Sequence, residues 1–134
     1  MTREQLNELG CEFPQVDPRL VTTAHRYTYL AEPPYAVATP DSITTVDTTT
    51  GVADRYTSAD NTVCEPLFAE DPPENPGEGR GWLLSLEHRP SDKRSRLVVL
   101  NAERPSAGPV ATATLRNHVP MTFHGAYKPW SSSC

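Results

Sequence analysis

Apolar and polar residues alternate along this chain in runs of about five to eight, the spacing of half-buried β-strands. His25 to Leu30 (HRYTYL) mixes aromatic and β-branched residues in such a run. Ser42 to Thr57 reads as a hairpin: SITTVD, a TTTG turn with Gly51, then VADRYT. Val63 to Phe68 (VCEPLF) is a short strand whose Pro66 marks an edge or a strand end. Trp82 to His88 and Arg96 to Asn101 are apolar enough to be central strands, joined by the charged turn RPSDKRS. Val110 to Leu115 alternates strictly. The pattern therefore predicts antiparallel strands near residues 26–30, 43–47, 52–57, 63–68, 82–88, 96–101 and 110–115, with less than a tenth of the chain helical.

The segments between these runs are rich in proline. Fourteen prolines in 134 residues are about twice ordinary usage and exclude long helices. Residues 1–10 carry Leu6 and Leu9 at helical spacing but read as a loose terminus. The stretch CEFPQVDPR, residues 11–19, reads as an extended or turning loop, because Pro14 and Pro18 sit four apart. Glu12 in that loop is either a plain surface acid or an acid held at a site by stiff backbone. Residues 32–41 form a second proline-rich loop. Glu70 to Gly81 is a long hairpin loop and not a linker between domains, since strand patterning resumes directly after it. The order of elements is that of an all-β antiparallel meander, as in propeller blades or a sandwich.

Charge narrows the choice of partners. The net charge is -5 with both signs interspersed, so no basic stripe exists to follow phosphates and nucleic acid is not expected. No apolar run is long enough to span a bilayer. The polar N-terminus MTREQLNELG is unlike a secretory signal. Cys11, Cys64 and Cys134 form neither a CxxC pair nor a disulfide framework, which points to a reducing cytoplasm. The threonine cluster at residues 44–50 is strand chemistry, with no base beside it to make a nucleophile.

The stretch with the most chemistry is Asn117 to Gly125, NHVPMTFHG, which holds His118 and His124. Phe123 on one side of His124 and Gly125 on the other would present an imidazole from tight, semi-buried backbone. Neutral imidazole suits Fe, Zn, Cu or Ni. A hydrogen-bonded structural histidine fits the same nine residues.

Three segments in register carry a family resemblance. The run from Gly81 to Gly125, ending in FHG, resembles the C-terminal end of the carotenoid cleavage oxygenases, the family of the lignostilbene dioxygenases and the retinal pigment epithelium retinoid isomerase. EFPQVDPR followed by HRYTYL resembles an upstream segment of those proteins, and CEPLF at Cys64–Phe68 resembles a segment between the two. The resemblance covers residues 11–128, leaving 1–10 as a loose segment and 129–134 as a tail. It implies that the chain forms the C-terminal blades of a seven-bladed β-propeller with Fe(II) on its axis. The family holds that iron with four histidines, three of which are oriented by glutamates behind them. His124 would be the last ligand. Glu65 would accept its ring N–H, and Glu12 would orient a histidine that this chain does not contain. The implied reaction is O2-dependent cleavage of a carbon–carbon double bond in a carotenoid, apocarotenoid or stilbene, with peripheral membrane contact in the full-length protein. His25, His88 and His118 do not stand at the family's ligand positions. His88 falls at a strand end before a charged turn and is expected to be solvent-exposed; His118 is expected in a loop. Two other readings stand beside this one: a non-catalytic β-module or degenerate fragment acting in binding, and a small metal site built from His118, His124 and a carboxylate.

Overall fold

The computed structural model describes residues 10–35, 38–59, 61–71, 77–91 and 93–128. The expected N-terminal segment 1–10, apart from Gly10, and the tail 129–134 lie outside these residues. Among the described residues, nine strands fall into two antiparallel sheets. The first is a four-stranded meander of β1 (Glu12–Gln15), β2 (Tyr27–Glu32), β3 (Ser42–Asp47) and β4 (Val52–Thr57), in the order β1-β2-β3-β4. In the second, β5 (Thr62–Val63) and β6 (Leu67–Glu70) both pair with β7 (Gly81–Arg89), which pairs with β8 (Arg94–Asn101) and then β9 (Pro109–Thr114). Two short 3-10 turns, Pro18–Leu20 and Pro105–Ala107, are the helical elements among the described residues.

The threonine-rich hairpin closes where the sequence places it. Gly51 takes φ 71°, a conformation glycine adopts without strain, and the β3–β4 register runs from Asp47↔Val52 to Ser42↔Thr57. Two expectations are corrected. The stretch at residues 11–19 contains a strand, β1, because its backbone completes the ladder of β2 despite its prolines. The single strand expected at 63–68 is split into β5 and β6 around Cys64, Glu65 and Pro66, since Pro66 has no N–H to donate.

The start of each sheet is irregular: β1 carries a bulge, and β5 and β6 are offset along β7. Between Glu12↔Ala31 and Gln15↔Tyr29, β1 advances three residues while β2 advances two. Phe13 absorbs the extra residue at φ 54°, a left-handed conformation that costs a bulky side chain roughly 1–3 kcal/mol. Between Val63↔Glu87 and Leu67↔Leu84, the chain from β5 to β6 advances four residues while β7 advances three. Bulges re-aim side chains out of strict alternation. Glu12, Gln15 and Glu65 all sit at these two irregularities.

The sheets pack face to face. Tyr29, Ala31 and Ile43 from the first sheet meet Val63, Phe68, Leu83 and Leu100 from the second. Tyr29 stacks on Phe68 with ring centroids 5.3 Å apart. Polar ties cross the same interface: Thr45 donates to the Ala102 carbonyl at 2.7 Å, and the Tyr56 hydroxyl donates to buried Glu87 at 2.8 Å. Leu83→Ala is expected to lower the unfolding free energy by about 2–5 kcal/mol, read by denaturant titration, because Leu83 is fully buried in this interface.

Asp17 pins the exit of β1. Burial raises its carboxyl pKa, but hydrogen bonds from the Arg19 side chain and backbone outweigh that, and the net shift is downward. A carboxyl depressed on folding adds stability above its unfolded pKa of about 3.9, and that stability is lost as pH falls through the folded value. The difference in melting temperature between the wild-type chain and Asp17→Asn should therefore be largest near neutral pH and shrink as pH is lowered below about 4.

Candidate metal centre

The segment after β9 runs back across the second sheet. Ser95 clamps it: the Val119 N–H donates to Ser95 Oγ, and the Ser95 hydroxyl donates to the Val119 carbonyl, both at 3.0 Å. Further along, Thr122 and Gly125 border a crevice with Leu84, Leu86 and Leu97. Gly125 passes so close to β6 that a Cβ there would sit 3.0 Å from Leu67 Cδ1. A side chain at Gly125 would thus require the end of Leu67 to shift where the backbone approaches Glu65.

Glu65 is buried, at 6% exposure, and organises what surrounds it. Its Oε2 accepts the Gly125 backbone N–H at 2.8 Å. Its Oε1 accepts from the Gln15 side-chain amide and faces His124 Nδ1 at 3.3 Å. The approach to His124 across 59 positions is just outside the usual range of about 2.7–3.2 Å. An ionised carboxylate only accepts, so the contact assigns the proton to Nδ1 and leaves the Nε2 lone pair free. Phe13, turned by its bulge, sets its ring edge-on to the imidazole with centroids 5.7 Å apart. Phe13 also meets Phe123 at 6.5 Å, and Phe123 is 79% exposed.

Beside this group lies an open cavity of about 340 Å3, walled by Phe13, Pro40, Val63, Met121 and Phe123, with Glu12 at its border. Glu12 is exposed, and among the described residues none pairs with its carboxylate. Burial pushes the Cys64 thiol pKa up, partly offset by a hydrogen bond from the Thr122 backbone, so Cys64 stays a neutral thiol and a poor metal ligand.

The other histidines lie elsewhere. His25 is exposed, with Nδ1 3.4 Å from the Thr23 carbonyl and Nε2 3.3 Å from the Thr28 hydroxyl. His88 departs from the expectation of solvent exposure. It is half-buried because His118 covers it, with ring centroids 4.7 Å apart, and its Nδ1 is buried with no partner among the described residues. Among the described residues no three His, Cys, Asp or Glu side chains converge to hold a metal. The donor chemistry fits one imidazole ligand: a carboxylate-backed ring with a free Nε2. Sequence reasoning missed Gln15 and Phe13, because the side each faces is set by the β1 bulge and not by alternation.

Three comparisons extend the picture. The family model described as retinal pigment epithelial membrane protein matches residues 1–129. Apocarotenoid-15,15'-oxygenase of Synechocystis sp. is 33% identical over 120 residues, covering 87% of this chain and 24% of that protein. Isoeugenol monooxygenase of Pseudomonas putida is 34% identical over 140 residues, covering 96% of this chain and 29% of its own length. The solved cobalt-substituted Synechocystis apocarotenoid oxygenase superposes with a TM-score of 0.83 at 31% identity, over 90% of this chain and 26% of that one. The chain thus spans about a quarter of the length of these relatives.

The Glu65 contact makes a structural forecast. The Gly125 amide proton should exchange with solvent at least about tenfold faster in Glu65→Ala than in the wild-type chain, measured by NMR, since its acceptor is removed.

Proposed function

The chain belongs to the carotenoid oxygenase family described by that retinal pigment epithelial membrane protein model, and on this premise we propose that it is the C-terminal part of a non-haem Fe(II) dioxygenase. The whole protein would cleave a carbon–carbon double bond of a carotenoid, apocarotenoid or stilbene-type substrate with O2. The observation that carries the reading is the Glu65–His124 pair, presented beside an apolar cavity.

Each residue has a physical role in this reading. Glu65 holds the Nδ1 proton of His124, which fixes the tautomer of the ring and aims the Nε2 lone pair outward. Its negative charge, one residue removed from the metal, offsets part of the dication's charge that neutral imidazoles leave uncompensated. Glu12 does the same for a histidine supplied by another part of the protein. When bound, the iron would supply activation of O2. Phe13, Met121 and Phe123 give that position an apolar wall that suits a polyene or a stilbene-type aromatic. A cytoplasmic setting agrees with the free thiols Cys11 and Cys64. Peripheral membrane contact would suit a substrate that partitions into lipid.

One imidazole with one supporting glutamate cannot hold Fe(II) against water. The isolated 134-residue chain is therefore expected to bind Fe(II) no better than its His124→Ala variant and to cleave no carotenoid or stilbene. The positive test is a chimera in which residues 11–128 replace the matching quarter of the Synechocystis oxygenase. It should bind one iron and cleave an apocarotenoid; His124→Ala should abolish both, and Glu65→Gln should lower metal affinity or activity by about 10–100-fold. A folded chimera without iron, or one indifferent to His124→Ala, overturns the proposal.

A further inference from the structure

Glu65 has one donor that neither the family pattern nor the metal role calls for. The Gln15 side-chain amide reaches Oε1, the same oxygen that faces His124, from a strand 50 residues away. Both partners are fixed from behind. Gln15 ends β1 opposite Tyr29, which is fully buried, and its orientation follows from the bulge at Phe13. Glu65 sits in the interruption between β5 and β6.

A buried carboxylate requires donors, and which donors it has decides where its oxygens point. Gly125 fixes Oε2, but one bond still allows the group to swing about it. Gln15 supplies the second fixed point. The choice of residue type matters as well. A lysine or arginine at this position would neutralise Glu65 and draw it away from the imidazole. A neutral amide satisfies the carboxylate and leaves its full charge for His124.

We propose that Gln15 is a positioning residue for the metal ligand: it holds Glu65 with Oε1 turned to His124, and so keeps the proton of that ring on Nδ1 and its Nε2 lone pair aimed at the metal. This rests on the reading of His124 as a ligand.

The first test uses the 134-residue chain, without metal. Nitrogen-15 NMR of the His124 ring at one alkaline pH reports which nitrogen carries the proton. The wild-type ring should show the Nδ1–H form. Gln15→Met keeps the volume but has no donor, and should shift the ring signals toward the mixture seen with Glu65→Gln. Gln15→Asn keeps the amide but falls one methylene short, and should give the same shift. It also serves as the second variant if Gln15→Met fails to fold. An unchanged His124 spectrum in a folded variant overturns the inference.

The second test measures Co(II) affinity in the chimera. Gln15→Met should weaken binding about tenfold, at the low end of the range for groups that support a ligand. If Glu65→Gln weakens Co(II) and Gln15→Met does not, the positioning role fails while the ligand reading stands. If His124→Ala leaves Co(II) binding intact, the ligand reading fails, and the ring spectra still decide what Gln15 does.

Discussion

A carboxylate buried at 6% exposure has to be satisfied by donors, and Glu65 draws its donors from two regions far from it in sequence. Gln15 comes from β1, and the His124 ring and the Gly125 backbone come from the segment after β9. Any rearrangement that removes one of them leaves a buried charge short of a partner. The first sheet, the second sheet and the terminal segment are thereby tied at one point. The same tie that stabilises the fold also sets the direction of the His124 lone pair.

The bulges explain how such a point arises in regular meanders. A glutamate and a proline mark each irregular place: Glu12 with Pro14 in β1, and Glu65 with Pro66 in the interruption between β5 and β6. In each, one extra residue disturbs the ladder at that place. The second sheet repeats the device of the first. Strict alternation would send every second side chain into the core, where an unpaired carboxylate is untenable. One added residue takes the acid out of that alternation: Glu12 is left exposed, and Glu65 is buried with donors around it. The strain at Phe13 belongs to the same device, and it places the ring against the His124 imidazole.

Much of this was legible in the chain, for reasons particular to each element. The threonine hairpin announces itself by β-branched runs around a glycine turn, and the strands around Leu83 and Val98 by short apolar runs joined by a charged turn. The strand β1 was hidden, since two prolines nearby argue for a loop and only pairing with β2 overrides them. The Glu65–His124 approach followed from a resemblance in three segments. Gln15 followed from nothing in the pattern. Its importance depends on a local break in alternation, and periodicity carries no signal for a single inserted residue. His88 was misplaced for a related reason: its cover, His118, lies 30 positions away in a segment with no strand pattern.

The terminal segment also closes the account of the second sheet. β7 is apolar on both faces: Leu83 packs into the core, while Leu84 and Leu86 face the other way and are only half-buried. A strand with two apolar faces needs cover on each. Thr122 and Gly125 lie over Leu84, Leu86 and Leu97, so part of that cover is the segment that carries His124. Its clamp at Ser95 is polar, its contact with Leu67 is apolar, and its end is the carboxylate of Glu65. The histidine is held in place by the burial of a sheet face as well as by its own hydrogen bond. Loosening that cover, even far from the ring, would move the ligand, which makes the packing of Leu84 and Leu97 part of the geometry of the site.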